Sequence, residues 1–223
     1  MSVSRVADDP ANPTIAPNYR VSDWKALNLT LASPPADWDK AAAIFHDRMN
    51  GRFLAQVKAL AGHHDEEIFE FSGFAIVALD CLLIETLGQF YKGIEQTPNR
   101  PRPPQGQPSP HAQHFIDFFI GSRHFSGAFD TKKGRLFYDH FRCGILHQAQ
   151  TKGKSRIRFG LGSMAEYADP ADPDQGLILD RVKLHKALLD EIADYECLLK
   201  GPQTAADHEK REHFIRKWTY IVS

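Results

Sequence analysis

Residues 71–93, FSGFAIVALDCLLIETLGQFYKG, decide how the rest of the chain is read. Apolar residues continue here far beyond strand length and without alternation, so the stretch reads as a helix ending at Gly93. The helix begins near Asp65, where Glu66 and Glu67 suit the positive end of its dipole. It is apolar on almost every face, which marks it as the central, most buried element. Asp80 and Glu85 interrupt the apolar run Gly73–Leu87, which is too short and too interrupted to span a bilayer. A carboxylate in such a helix needs a partner. For Glu85 the candidates are Arg142, Arg52 and His147, and a structural ion pair is the favoured role.

Upstream, Asp37 to about Ala61 repeats apolar residues at helical spacing, with Asp37 as the cap and Gly62 as the stop. Residues 1–36 carry five prolines and form an extended arm, disordered at its start and docked by Trp24, Leu27, Leu29 and Leu31. The alternation of those three leucines allows a short strand. Downstream, TPNRPRPPQGQPSP (97–110) cannot be helical and is read as a surface connection, with a proline-rich ligand for a partner as the other reading. A third helix follows in HAQHFIDFFIGS, with Phe115, Phe118, Phe119 and Ile120 inward. A fourth runs from about Lys133 to Thr151. SRIRFG and GLILD then pair as a hairpin, and helices follow at Val182–Lys200 and from a capping box at Thr204 and Asp207 to near Tyr220. The predicted fold is mainly α: a helical bundle of four to five long helices with a small β-hairpin and a C-terminal helical extension. The arm covers 1–36 and a single helical domain covers 37–223.

Bulk composition is ordinary for a globular protein, and the formal net charge of -1 gives no global attraction to nucleic acid or anionic membrane. Basic surface has to be local. Cys81, Cys143 and Cys197 are too few and too scattered for a disulfide framework or a metal knuckle, and read as reduced thiols of a cytoplasmic protein. The N-terminal residues lack the apolar core of a signal peptide. No phosphate- or dinucleotide-binding glycine motif occurs, so no cofactor is expected.

FYDHFRCGILHQAQTKGKSRIRFG (137–160) concentrates chemistry. On an unbroken helix His140, Cys143 and His147 share one face, while Arg142 and His147 lie roughly 140° apart. Gly144 weakens a helix, which suggests a close backbone approach or a bend. One reading is a zinc site at His140, Cys143 and His147, completed by His111, His114 or His124. Three ligands on one straight helix surround an ion poorly, so no metal is the preferred reading. The other is phosphodiester chemistry: histidine as the base for a 2′-hydroxyl and arginine as the fixed cation for phosphate. Lys152, Lys154, Arg156 and Arg158 add a basic tract, which also reads as a solvated strand edge. Phe159, the one aromatic in that tract, reads as packed inward.

A helical bundle carrying RCGILH, Arg142 through His147, late in a helix resembles the HEPN superfamily of prokaryotic defence and toxin systems. LLIETLGQFYKG and FYDHFRCGILHQAQTKG share that character. The resemblance covers about residues 37–151, leaving the strands and last helices of 152–223 outside it. It implies a homodimer apposed through the motif face and metal-independent RNA cleavage, with Arg142 binding phosphate and His147 catalytic. Glu85, Cys143 and Asp139 are supporting residues; Cys143 follows the arginine, where active members carry a polar residue. RNA or a nucleotide is the expected ligand, and a protein partner or antitoxin fits the same setting. The alternative is a non-catalytic dimeric module of the same fold that binds nucleotide or protein. No serine–histidine–acid arrangement stands out in the sequence.

Overall fold

The computed structural model describes residues 9–98, 104, 107–202 and 204–223. The start of the arm and half of the proline-rich loop expected at 97–110 lie outside the described residues. The arm opens with a small hairpin, β1 (Thr14–Ala16) and β2 (Tyr19–Arg20), and a short helix α1 (Val21–Lys25). Leu27, Leu29 and Leu31 do not form the expected strand; they sit in turns and rest partly buried against the core.

The first long helix begins at Pro35 rather than Asp37. The ring of Pro35 presets the backbone and its missing N–H would be unpaired at a helix start in any case. This helix runs as α2 (Pro35–Met49), a π-helical stretch (Asn50–Leu54) and α3 (Ala55–Ala61). The hairpin clamps onto it. Arg48 Nη1 donates to the Ile15 carbonyl at 2.5 Å, and Asp47 accepts from the backbone and side chain of Asn18. Pro17 lies where a Cβ on Gly51 would be, so only glycine fits beneath the arm.

The helix expected from Asp65 to Gly93 is broken in two. Asp65 caps α4 (Glu66–Phe71), and α5 (Gly73–Lys92) starts afresh. The reason lies far away in sequence. Arg181 reaches in to donate to Ser72 Oγ and to the Phe69 carbonyl, and a Cβ on Gly73 would stand about 3.1 Å from its guanidinium and 3.2 Å from Ile157. α5 is the core helix. By length and composition alone it also matches a bilayer-crossing segment, yet Val77, Cys81, Leu83, Ile84, Leu87 and Phe90 are fully enclosed by protein. Its outer face shows Phe74 and Leu82.

Ser109 caps α6 (Pro110–Gly121). Phe115, Phe118 and Phe119 point inward as expected, but Ile120 is 46% exposed on the far face. The next helix is α7 (Thr131–Leu136), a π-helical stretch (Phe137–Arg142) and α8 (Cys143–Gln148), ending three residues before the expected Thr151. The expected hairpin is instead a three-stranded sheet. β3 (Arg156–Arg158) pairs in parallel with β5 (Leu177–Asp180), and β4 (Ala165–Tyr167) pairs antiparallel on the other side. The two segments read as partners do pair, but the intervening β4 inverts their relative direction. β3 is left as an open edge.

α9 (Arg181–Lys200) and α10 (Ala205–Ile221) complete the bundle. Thr204 does not cap a backbone N–H; its hydroxyl bonds the Asp207 carboxylate at 2.5 Å. Arg211 on α10 donates to the Leu198 and Gly201 carbonyls, satisfying the open end of α9, and lies over Trp38 at 4.5 Å. Trp24 from the arm stacks on Trp218 at 4.5 Å, beside Phe90 and Phe214. The architecture is mainly α, a helical bundle with a small sheet.

Candidate functional site

Arg142 closes the π-helical stretch, one residue before the helix tightens again at Cys143. A π turn holds more residues than an α turn, so His140 is rotated away from the face it would share with Cys143 and His147 on a regular helix. Arg142 faces α5. Its Nη2 donates to Glu85 Oε2 at 3.2 Å, with the two side chains 19% and 15% exposed. Its guanidinium also lies over the Tyr138 ring at 5.8 Å. Burial works to lower the arginine pKa, but Glu85 outweighs it, and Arg142 is held above its ordinary value. Its Nε has no hydrogen-bond partner among the described residues.

Glu85 gathers more than the arginine. His111 Nδ1 lies 3.4 Å from its other carboxylate oxygen, and His114, buried, hydrogen-bonds the Glu85 backbone carbonyl through Nε2. Burial lowers the His114 pKa. The i, i+3 spacing of these two histidines was the sequence signal for their sharing one face. Cys143 and Ser109 both act on the Tyr138 hydroxyl. The phenol is pushed up to about 12, by burial first and then by Cys143. Asp139 turns to the surface and pairs with Arg135 at 3.7 Å.

His147 lies near the end of α8, exposed and without a hydrogen bond or ion pair among the described residues. The structure therefore splits the motif: Arg142 turns inward to Glu85 and His147 outward, with no hydrogen bond between them among the described residues. His140 is different again. Its Nδ1 is 2.9 Å from Ser155 Oγ, and its carbonyl accepts from Lys152 N. Burial, aided by Lys152, lowers its pKa against the opposing charge of Asp139. No three His, Cys, Asp or Glu residues among those described are grouped to hold a metal ion.

The chain reverses after α8 through Ala149, whose φ of 55° is left-handed, and Gln150 returns across Gly144. A Cβ on Gly144 would stand 2.5 Å from the Gln150 carbonyl, which is the close backbone approach its presence in a helix suggested. Ser155 then pins the start of β3, bonding both His140 and the Leu177 N–H. Lys154 pairs with Asp169 at 3.7 Å. Lys152, Arg156 and Arg158 have no acidic partner among the described residues, and the two arginines are exposed. Phe159 is not packed inward as expected but 51% exposed, edge-on to Phe69 and beside the Arg181 guanidinium. It shares a cleft of about 550 Å³ with Phe71, Phe74, Ile157 and Arg158.

A second concentration of polar groups lies between α5, α6 and α9. Tyr91 and Ser122 both donate to Glu191, while Arg123 and His124 engage Asp194. Residues some seventy positions apart meet here, so no local spacing signalled the grouping. No protein-family model, characterised protein or solved structure matches the chain.

Proposed function

We propose that the protein is a HEPN-like, RNA-engaging homodimer of a prokaryotic defence or toxin-type system. Its RNA is single-stranded and lies along β3 and the end of α8. The observation that carries this reading is the open basic edge of β3. Arg156 and Arg158 stand exposed, Arg158 shares a cleft with the rings of Phe159 and Phe71, and Ser155 ties that strand to the arginine-bearing helix. Arginines neutralise phosphates, and exposed rings stack unpaired bases without regard to sequence. With a net charge of -1, this attraction is local to that edge.

Cleavage in this proposal belongs to the dimer. Glu85 orients Arg142 to receive the phosphate charge. His147, without a hydrogen bond or ion pair among the described residues, takes the 2′-hydroxyl proton as the 2′-oxygen bonds to the adjacent phosphorus and the P–O5′ bond breaks, the leaving 5′-oxygen taking a proton from water. Apposed α8 ends supply an arginine and a histidine to one cleft, which a single chain does not do. The second reading is a binding module without turnover. It is favoured by Glu85, which already occupies the Arg142 fork.

The test is a fluorescent single-stranded RNA incubated with purified full-length protein in EDTA, beside His147→Ala and the double variant Arg156→Ala/Arg158→Ala. Ribonuclease function requires cleavage by the wild type and none by His147→Ala. Binding without turnover, lost in the double variant and weakened by salt, selects the module. Absence of binding at low salt removes both.

A further inference from the structure

The cleft between α5, α6 and α9 lies apart from the residues of the RNA proposal. It has a volume of about 380 Å³, within the range that small ligands occupy. Tyr91, Phe118, Ser122, Glu191 and Tyr195 line it. Three carboxylates face the cleft, and two are balanced. Asp117 pairs with Lys92 at 2.5 Å and accepts from Gln113. Asp194 pairs with Arg123 and with His124, both at 2.7 Å.

Glu191 is the exception. It is only 7% exposed, and its hydrogen bonds come from two neutral donors, the Tyr91 hydroxyl at 2.6 Å and the Ser122 hydroxyl. No cation pairs with it among the described residues. Hydroxyl donors reduce the cost of burying a carboxylate but do not cancel its charge.

The walls suit a positive guest. Tyr91 stands edge-on to Tyr195 at 4.8 Å and tilted to Phe118 at 6.3 Å, and ring faces attract cations. The Tyr195 hydroxyl is buried and has no hydrogen-bond partner among the described residues. We infer that this cleft binds a small organic ammonium, with Glu191 as its counter-ion and the three rings as its walls. Lys210, exposed in the lining, opposes a second positive charge, so the guest is a monoamine with a neutral or anionic tail.

The test uses n-butylamine and 2-phenylethylamine, each beside its alcohol analogue, titrated into the full chain by calorimetry at neutral pH. At least one amine should saturate with a Kd below about 1 mM, and about tenfold or more tighter than its alcohol. Glu191→Gln keeps the shape and an acceptor for Tyr91, and should bring amine and alcohol to within about twofold of each other. Gly121→Leu is the second variant. A Cβ there meets nothing within 4 Å, so the protein should fold, and the longer side chain on the cleft lining should weaken binding of both probes. Should Glu191→Gln not fold, Gly121→Leu decides alone. Equal affinity for amine and alcohol overturns the inference. So does undiminished amine binding in either folded variant, or no saturation by either amine up to about 10 mM.

Discussion

Arg142 and His147 were one motif in the sequence and are two environments in the fold. Arg142 is a half-enclosed cation whose neighbours Glu85 and Tyr138 hold it in place. Removing it leaves the half-enclosed Glu85 of α5 with His111 as its remaining neighbour. Arg142→Ala should therefore cost about 1–3 kcal/mol of stability in urea unfolding. A double change with Glu85→Gln should cost less than the two singles together, because both report one interaction. Equal additivity would mean the pair contributes nothing as a pair. His147 carries no such load. His147→Ala should unfold within about 0.5 kcal/mol of the wild type, so any loss of RNA cleavage in that variant reflects chemistry and not folding.

Among elements, the joint between the motif helix and the sheet is the most informative. Ser155, fully buried, bonds His140 on one side and the Leu177 N–H on the other, so one hydroxyl sets the register of β3 against both helix and β5. Ser155→Ala leaves that buried N–H unpaired. It should cost about 1–3 kcal/mol and accelerate amide exchange in residues 150–158 and in β5 while α2 stays protected. Uniform acceleration across the chain would show that the joint is not a local element. Arg181 plays a similar part at the break between α4 and α5. Its guanidinium lies against the rings of both Phe69 and Phe159, so the open basic edge and the central helix meet at one side chain.

For the molecule as a whole, the arm and the buried histidines govern stability. Trp24 closes an aromatic cluster with Phe90, Phe214 and Trp218, built from segments at both ends of the chain. Trp24→Ala should cost about 3–5 kcal/mol, seen as a lower urea midpoint. The pH dependence follows from burial. His114 and His140 are both held below the ordinary imidazole value. The unfolded chain takes up protons at about pH 6.5, before the folded chain does. Their contribution is thus complete above that pH and declines as the pH falls through it toward the lower folded values. The urea midpoint should drop between pH 7.5 and 5.5, and His114→Gln should flatten the slope. Asp80 acts in the opposite sense at carboxylate pH, since burial raises its pKa against the pull of His185.

Helix content, the order of the long helices and the centrality of Gly73–Lys92 were legible because they depend on apolar spacing, which is local. So was the close approach at Gly144, because a glycine inside a helix has few other causes. Glu85 was legible as a carboxylate in need of a partner, though the sequence left its choice of Arg142 open. The break at Ser72, the π turns, the direction of β3 and the exposure of Phe159 were not legible. Three of these turn on residues far along the chain: Arg181 at Ser72, β4 beside the paired strands, and Phe69 with Arg181 against Phe159. The Tyr91–Ser122–Glu191 cluster belongs to the same class. The sequence by itself determined which segments coil and which faces are apolar, because hydrogen-bond geometry and side-chain period are local properties. Only the tertiary structure decided which charges meet and which stand open, because ion pairs and clefts form between surfaces that no local spacing brings together.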